Sequence, residues 1–487
     1  MNLAVEATAT VDAPDDATID WEYDRAVDAV EDLGWDPDGA VPITLDGIGD
    51  GTLVVVPPGE YAYDGANWTT GSAERVGLRG LGDTREDVVI RSVSGTAGEF
   101  LLNVGGGRCH ELSNLTLDWT DRRDTAGAAF RLAPTTGLVV RDVEWVGYTP
   151  PGREPDTGST AIPDDAARVD QFKLYTQVKS EDGIGVVERV DVTGPSHIDG
   201  HGGGKGICIH NEHHAGTVVY ADCEWRNVNG DAPVYSSGHG RVVANRVTAV
   251  NCAMAGLRMG GTSVCRDCHV RIDHDEQHPD NTGAFEAANG IFYAGQAGDH
   301  HGGRIENCTV EVLSNRTVGQ ALRFTSTGLD VTVADTDITV RDTAAVYALD
   351  PSEGYDATFD PQPPYGLAFE GVTVEHGGGL GPFDGVVDLR GRPESSVAVE
   401  MHAPEADVGV SLRNSPDSRV TGSIDVAGER VCQENSPRCT VSLDGESRGG
   451  PDETDVDVER GPSGARGDET KSNAGALRDL LDSLLGR

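Results

Sequence analysis

Between Gly216 and Gly328 the chain repeats one pattern of apolar and polar positions four times. Each copy contains a β-rich segment, a polar corner, and an apolar–variable–apolar triplet. The segments read VVYADCEW, VVANRVTA, VCRDCHVR and RIENCTVE, and the triplets after them are centred on residues 235, 258, 292 and 323. Because strands with period-two alternation cannot bury their inward face alone, such copies must stack and share a core. The pattern therefore predicts a parallel β-helix, whose unequal coil lengths indicate insertions in the corner loops.

Similar triplets on both sides of this stretch raise the predicted solenoid to about 10–11 coils over residues 50–430. The further triplets are Phe100-Leu101-Leu102, Phe130-Arg131-Leu132, Phe172-Lys173-Leu174, Ile207-Cys208-Ile209, Val346-Tyr347-Ala348, Val386-Val387-Asp388 and Val410-Ser411-Leu412. Longer loops enter at about residues 148–167, 274–288 and 350–364, where binding or catalytic residues are commonly found on rigid scaffolds.

The N-terminal segment, residues 1–49, departs from this pattern. From about Thr18 to Leu33 the sequence places Val27, Val30 and Leu33 on one helical face, and Gly34 supplies a stop. We expect a helix here that caps the first coil, since the end of a solenoid must be covered.

The C-terminal end also departs from it. Residues 431–443 predict a hairpin flanked by Cys432 and Cys439, which could form a disulfide in an oxidising compartment. Residues 444–472 hold almost nothing to bury and predict a disordered acidic linker. Residues 473–487 predict a short amphipathic helix, which is marginal alone and should dock on a partner or on the chain itself. Its apolar face consists of Leu477, Leu480, Leu481, Leu484 and Leu485.

Three stretches resemble a known superfamily. GTLVVVPPGEY from Gly51 and VGLRGLGDTREDVVI from Val76, after the expected capping helix, resemble the opening of right-handed parallel β-helix proteins of the pectate-lyase-like superfamily. GICIHNEHHAGTVVYADCEWRNV from Gly206 resembles its haloarchaeal branch. The resemblance implies an all-β, right-handed, single-stranded parallel β-helix over about residues 15–426. It does not imply one activity, because this scaffold carries lyases, hydrolases, epimerases and viral tail spikes.

The charge balance indicates the ionic environment in which the protein works. The chain has 81 acidic against 38 basic residues, a formal net charge of −43, and only four lysines. Such a surface repels itself at low ionic strength, whereas in molar salt the Debye length falls to ~3 Å. This composition is typical of halophilic archaeal proteins. It argues against nucleic-acid binding, because the net field has the wrong sign.

The cysteines favour a structural role. Cys223, Cys268 and Cys308 share one register position, which Val247 fills in the intervening coil, and they predict an inward ladder of small side chains. The alternative is a zinc site at Cys265-x-x-Cys268 with nearby histidines, for which a single CxxC is weak evidence. Apart from this alternative, the sequence indicates no cofactor or metal ion. A divalent cation such as calcium is compatible with it but not indicated by it.

The triplet centres form the first candidate site. If their apolar neighbours point inward, the centres point outward and stack along one face. Aromatic rings stack on sugars and guanidinium groups bind carboxylate or sulfate, so this row predicts a site for an anionic polysaccharide. The predicted glycan-binding residues are Arg131, Lys173, Tyr235, Arg258, Phe292, Arg323 and Tyr347. The row could instead pack beneath the inserted loops or form a subunit interface.

A second candidate site lies in the histidine-rich segment 197–214. A β-eliminating lyase needs a base and a cation, and a hydrolase needs paired carboxylates. The candidate catalytic residues are His197, Asp199, His201, Lys205, Asp231 and His239. Solvated loop histidines are the structural alternative.

The sequence thus predicts a surface glycan-recognition protein, of the virion spike, fibre or cell-surface adhesin type, that binds an anionic or glycosylated polymer in high salt. The alternative is a polysaccharide lyase or glycoside hydrolase. The sequence contains no apolar run long enough to span a membrane and no classical signal peptide. We expect an extracellular or virion-surface location, with self-association or docking through the C-terminal helix.

Overall fold

A computed structural model describes residues 8–13, 17–45, 48–64, 68–93, 101–120, 130–148, 174–198, 209–210, 214–228, 232–235, 240–283, 288–294, 301–314, 317, 319–353, 361–444 and 446–448. For residues 8–13, 17–18, 68–70, 174–175, 197–198, 209–210, 235 and 446–448, only the backbone is described. Within these residues the only helix is a three-residue 3-10 turn, Arg85–Asp87, so no described helix is long enough to cross a membrane.

The described chain winds into a parallel β-helix with three faces. Each turn, or rung, adds one strand to each face, and nearly all neighbouring strands pair in parallel. First-face strands are Arg25–Asp28, Thr52–Val56, Ala73–Gly80, Thr217–Ala221, Arg241–Asn245, Val264–Arg266, Arg304–Glu306, Thr332–Ala334 and Thr440–Leu443. Second-face strands are Gly59–Tyr63, Val88–Ser92, Glu224–Arg226, Thr248–Val250, His269–Asp273, Thr309–Ser314 and Asp337–Arg341. Continuous strands that serve both faces are Gly107–Trp119, Thr136–Gly147, Ile184–Thr193, Ala368–Gly377, Ser396–Ala403 and Arg419–Val426.

The third face is a separate 13-stranded sheet. Its strands are Trp68–Thr70, Leu102–Val104, Phe130–Leu132, Leu174–Thr176, Ile209–His210, Val234–Tyr235, Ala255–Met259, Asn289–Tyr293, Leu322–Phe324, Val346–Ala348, Val387–Arg390, Val408–Arg413 and Glu429–Glu434. The parallel β-helix is therefore confirmed, and it has more coils than the 10–11 expected. The additional rungs were missed because their third-face strands, WTT and ERVCQE, lack the apolar–variable–apolar triplet.

The polar corner of the repeated pattern is a left-handed bend between the first and second faces. On eight successive rungs a single residue of the bend has φ between 47° and 56°. Asn and Asp tolerate this region better than other non-glycine residues, which explains why the corner is polar. The stacked bend residues are Asn114, Asp142, Arg189, Asp222, Arg246, Asp267, Asn307 and Asp335.

The interior is one continuous stack of buried aliphatic and aromatic side chains. Cys223, Val247, Cys268 and Cys308 lie at one inward position on successive rungs, so the predicted cysteine ladder is confirmed. The zinc alternative is wrong for the described residues, because Cys265 and Cys268 are buried in the core. His269 instead bonds Glu311, with 2.7 Å between Nε2 and Oε2.

The predicted N-terminal capping helix is wrong. Residues 17–28 form two strands, Ala17–Glu22 and Arg25–Asp28, and the first pairs antiparallel with Thr8–Ala13. Ile19, Trp21 and Tyr23 alternate with exposed acids and pack on the outside of the first face, in one cluster with Leu53, Val55, Val139 and Val186. Their period of two outweighs the weaker period near 3.6 of Val27, Val30 and Leu33.

The expected Cys-flanked hairpin at 431–443 is also wrong. Glu429–Glu434 pairs in parallel with the preceding third-face strand, and Thr440–Leu443 pairs in parallel with the preceding first-face strand. These residues form one more rung, and Cys432 and Cys439 are free thiols. The disordered linker predicted at 444–472 begins too early, because residues 446–448 form a strand that pairs antiparallel with Thr440–Leu443. The rest of that linker, from 449, and the helix predicted at 473–487 lie outside the described residues.

Candidate functional site

The third face aligns its central residues into one row, which we call the third-face row. The members, in order, are Thr69, Asn103, Arg131, Tyr175, His210, Tyr235, Arg258, Phe292, Arg323, Tyr347, Asp388, Ser411 and Cys432. Residues 235, 258, 292, 323 and 347 are successive members, about 4.8 Å apart per rung. This confirms the register predicted from the triplets.

Three upstream members differ from the sequence prediction by two residues each, and downstream the row position is Asp388, whereas the predicted triplet was centred on Val387. The upstream strands are Leu102–Val104, Leu174–Thr176 and Ile209–His210, so Tyr175 takes the predicted place of Lys173 and His210 that of Cys208. Lys173 lies outside the described residues. A shift of two preserves the alternation of inward and outward residues, so the hydrophobic pattern cannot exclude it.

Phe292 lies between two arginines of the row. The Arg258 guanidinium carbon is 5.2 Å from the ring centroid and that of Arg323 is 5.3 Å from it. Cation–π contacts of this kind contribute ~0.5–2 kcal/mol each. Phe292 packs with Ala232, Ala255 and Ala294 in a small cluster separate from the interior. The three side chains therefore form a fixed stack outside the core.

The row is not an open groove along its whole length. Arg258 is 2% exposed, Phe292 6% and Tyr347 9%, whereas Arg131 and Arg323 are only half-buried. This agrees with the alternative in which part of the row packs beneath other chain. Among the predicted glycan-binding residues with described side chains, Arg131 and Arg323 are the ones that remain partly exposed.

A second cation–π contact lies where the row reaches Asp388. The Arg390 guanidinium carbon lies 4.9 Å from the Tyr347 ring centroid, and the Phe383 ring lies 5.0 Å from the same ring. Arg390 Nη2 donates to Asp388 at 2.7 Å and to Asp384 at 3.0 Å. Asp388 is the only acid in the row, and its buried side chain is neutralised by Arg390.

These contacts shift the pKa values of the groups involved. Burial raises the pKa of Tyr347, so its hydroxyl stays protonated. For Arg390, burial favours the neutral form, but the hydrogen bond and charge of Asp388 outweigh it and the pKa lies above its usual value. Burial and the charge of Arg131 both lower the pKa of Lys179, which indicates that these two cations lie near each other.

Sequence reasoning missed three basic residues near the row, Arg390, Arg413 and Lys179. Arg390 lies two residues after Asp388, the row member of its strand, and therefore also points outward. Arg413 occupies the same register position on the next rung. Period-two counting beyond the triplet would have found both. Lys179 lies in the turn after its strand, where the pattern carries no signal.

Connections between the second and third faces meet beside the row. The strand His197–Ile198 pairs with Thr282–Gly283, although these segments belong to rungs that are not adjacent. The Tyr148 hydroxyl lies 2.8 Å from Thr282 Oγ1, and the Ser196 amide donates to Asn281 Oδ1 at 2.9 Å. Loops from three rungs are thus joined into one wall.

The described residues do not test the predicted catalytic site. His197 is described only in its backbone, and the other candidates, Asp199, His201, Lys205, Asp231 and His239, lie outside the described residues. His214, in the same histidine-rich segment, is buried; Nε2–H donates to Arg241 O at 2.9 Å and Nδ1 accepts from the Val178 amide at 3.3 Å. Burial lowers the pKa of His214, and this neutral ring is structural. Among the described side chains, no group of three or more His, Cys, Asp or Glu is arranged to bind a metal ion.

Comparison with known proteins gives distant likenesses in structure alone. No family model matches the chain, and no curated protein matches it. The Dettilon tailspike protein gp208 is 10% identical over 86% of this chain and 68% of its own, with a TM-score of 0.44. The A-module of the Azotobacter vinelandii mannuronan C-5 epimerase AlgE4 is 15% identical over 85% of this chain and 100% of its own, with a TM-score of 0.42. The catalytic unit of a GH87 α-1,3-glucanase from Streptomyces thermodiastaticus is 16% identical over 91% of this chain and 74% of its own, with a TM-score of 0.40. Likeness at this level carries no function to this chain.

Proposed function

We propose that this protein is a glycan-recognition β-helix of the spike, fibre or adhesin type. It is displayed on a virion or cell surface and binds an anionic or glycosylated polymer in high salt. One observation carries the proposal: a chain of net charge −43 places arginines and aromatic rings in one row on the third face. The single acid of that row, Asp388, is already paired with an arginine.

The chemistry of the row suits a sugar polymer with acidic groups. Aromatic rings offer flat apolar faces to sugar rings, and guanidinium groups bind carboxylate or sulfate through two parallel hydrogen bonds. Because the rungs are ~4.8 Å apart, the row presents its groups at regular intervals along the solenoid axis.

Access divides the row into two roles. Arg131 and Arg323 are partly exposed and make the first contacts with the polymer. Arg258 and Phe292 are covered, and their stack holds Arg323 in place. In molar salt, long-range attraction is screened within ~3 Å, so binding depends on these short-range contacts.

The test is retention of the full chain on immobilised acidic polysaccharides in molar sodium chloride. Arg131→Gln and Arg323→Gln should each weaken retention by about tenfold, which corresponds to ~1.4 kcal/mol. The control is Arg438→Gln, an exposed arginine that bonds Asp417 on the last rungs, away from the row's arginines. Equal retention of all three variants and the parent chain would reject the row as the binding site.

The convergence of loops beside the row favours a second candidate, a polysaccharide lyase or hydrolase. The strand His197–Ile198 brings the histidine-rich segment to this wall. Steady growth of unsaturated-uronate absorbance would support a lyase, and new reducing ends without that absorbance would support a hydrolase. Absence of both products together with specific retention would support recognition alone.

A further inference from the structure

The two ends of the solenoid are covered differently in the described residues. At the N-terminal end, the segment that follows the strand Arg25–Asp28 folds over the first coil. Its side chains Ala29, Trp35, Ile43 and Leu45 are buried and belong to the main core cluster. These residues exclude water from the first coil, as the cap of a repeat protein must.

At the C-terminal end, four inward side chains of the last rung are only half-buried. Val426, Val431, Cys439 and Val441 contact the core but remain partly exposed. The residues at the same register positions one rung earlier are fully buried: Ala403, Val410, Ser418 and Val420. The strand Glu446–Arg448 pairs antiparallel with Thr440–Leu443 and covers the edge of the first face alone.

We propose that residues 473–487 form an amphipathic helix that docks on this open end and caps the solenoid. The leucines at 477, 480, 481, 484 and 485 form one apolar face, which matches the half-buried side chains of the last rung. Fifteen helical residues span ~22 Å. The terminal strand Arg419–Val426 is ~26 Å long along its path around the bend between two faces, so a helix of this length is long enough to lie across the end.

The position and length of the intervening chain favour docking within one molecule. The described chain ends at Arg448, on the same last rung. A flexible chain as long as the 24 residues from 449 to 472 has a root-mean-square span of ~27 Å, comparable with the length of the proposed helix. A tether of matching length holds the helix near its site at an effective concentration in the millimolar range.

A second copy is a less suitable cover. The last third-face strand carries exposed charges at Glu429, Arg430 and Glu434, and charges on an edge strand oppose pairing with another chain. The net charge of −43 adds repulsion between copies.

The experiment uses the full chain in molar salt. Leu480→Asp/Leu484→Asp places two acids on the apolar face of the helix, and Ser483→Asp/Gly486→Asp adds the same charge on its polar face as a control. The measurements are hydrogen exchange of residues 429–443, maleimide labelling of Cys439 read by peptide mapping, and sedimentation velocity.

If the helix caps its own chain, exchange and labelling rise by ~10-fold or more in the leucine variant only, because local opening governs both rates. All proteins should sediment as monomers. Exchange and labelling equal to the control would overturn the proposal. So would a parent dimer that the leucine variant dissociates, because a second copy would then be the cover.

Discussion

Arg392 provides the sharpest test of how this solenoid holds its third-to-first corner loops together. Its side chain is fully buried and donates to Leu349 O at 2.9 Å, Gly328 O at 2.7 Å, Thr325 O at 2.6 Å and Tyr365 O at 3.3 Å. Burial lowers its pKa to about 9, against the raising effect of Asp350, so the group is a cation at neutral pH. One side chain thus connects three successive corners.

The substitution Arg392→Met keeps the apolar stem and removes the donors. Each carbonyl left unsatisfied in the interior costs ~1–3 kcal/mol. Thr325 O also accepts from the Gly328 amide, so the loss falls mainly on the other three carbonyls. With water reaching some of them, we expect the free energy of unfolding to fall by ~4 kcal/mol. The control Arg438→Met, which removes an exposed ion pair with Asp417, should leave the free energy of unfolding almost unchanged.

Urea denaturation in molar salt measures both variants, and hydrogen exchange shows where the structure loosens. We expect faster exchange at the corners near residues 325–328, 349 and 365. If Arg392→Met costs no more than Arg438→Met, the four carbonyls have other partners and Arg392 is not a brace.

Two further predictions concern buried polar groups. Burial lowers the pKa of His110 to about 4, so between this value and its usual 6.5 the unfolded chain binds a proton that the folded chain does not. The free energy of unfolding should therefore fall by up to ~3 kcal/mol as the pH drops through that range. In urea titrations at successive pH values, His110→Gln should reduce this dependence on pH. An unchanged dependence would contradict the role given to His110. The buried Glu111 accepts from Arg79 at 2.7 Å and from Tyr23 at 2.9 Å. Glu111→Ala should cost ~3 kcal/mol and speed exchange in residues 17–23, whereas exposed Glu74→Ala should do neither; equal effects would refute the anchoring role.

The alternation of apolar and polar residues was sufficient to predict the solenoid and the register of its third-face row. Inward and outward positions in a strand are decided by neighbours two residues away, and the polar corner is set by one residue that must adopt positive φ. Such local information is present in the sequence itself. It failed where the pattern is equally consistent with a shift of two, as at Lys173 and Tyr175.

Only the tertiary structure decided which row members meet solvent and which ion pairs form. Arg258 and Phe292 are equivalent to Arg131 in the sequence pattern, yet they are buried, whereas Arg131 is partly exposed. The pairing of His197–Ile198 with Thr282–Gly283 joins segments far apart in the chain, and no local pattern encodes it. Burial of a side chain depends on which distant segments lie above it, whereas the alternation of a strand depends on residues next to each other in the chain. The sequence therefore determined the scaffold, and tertiary contacts determined the site.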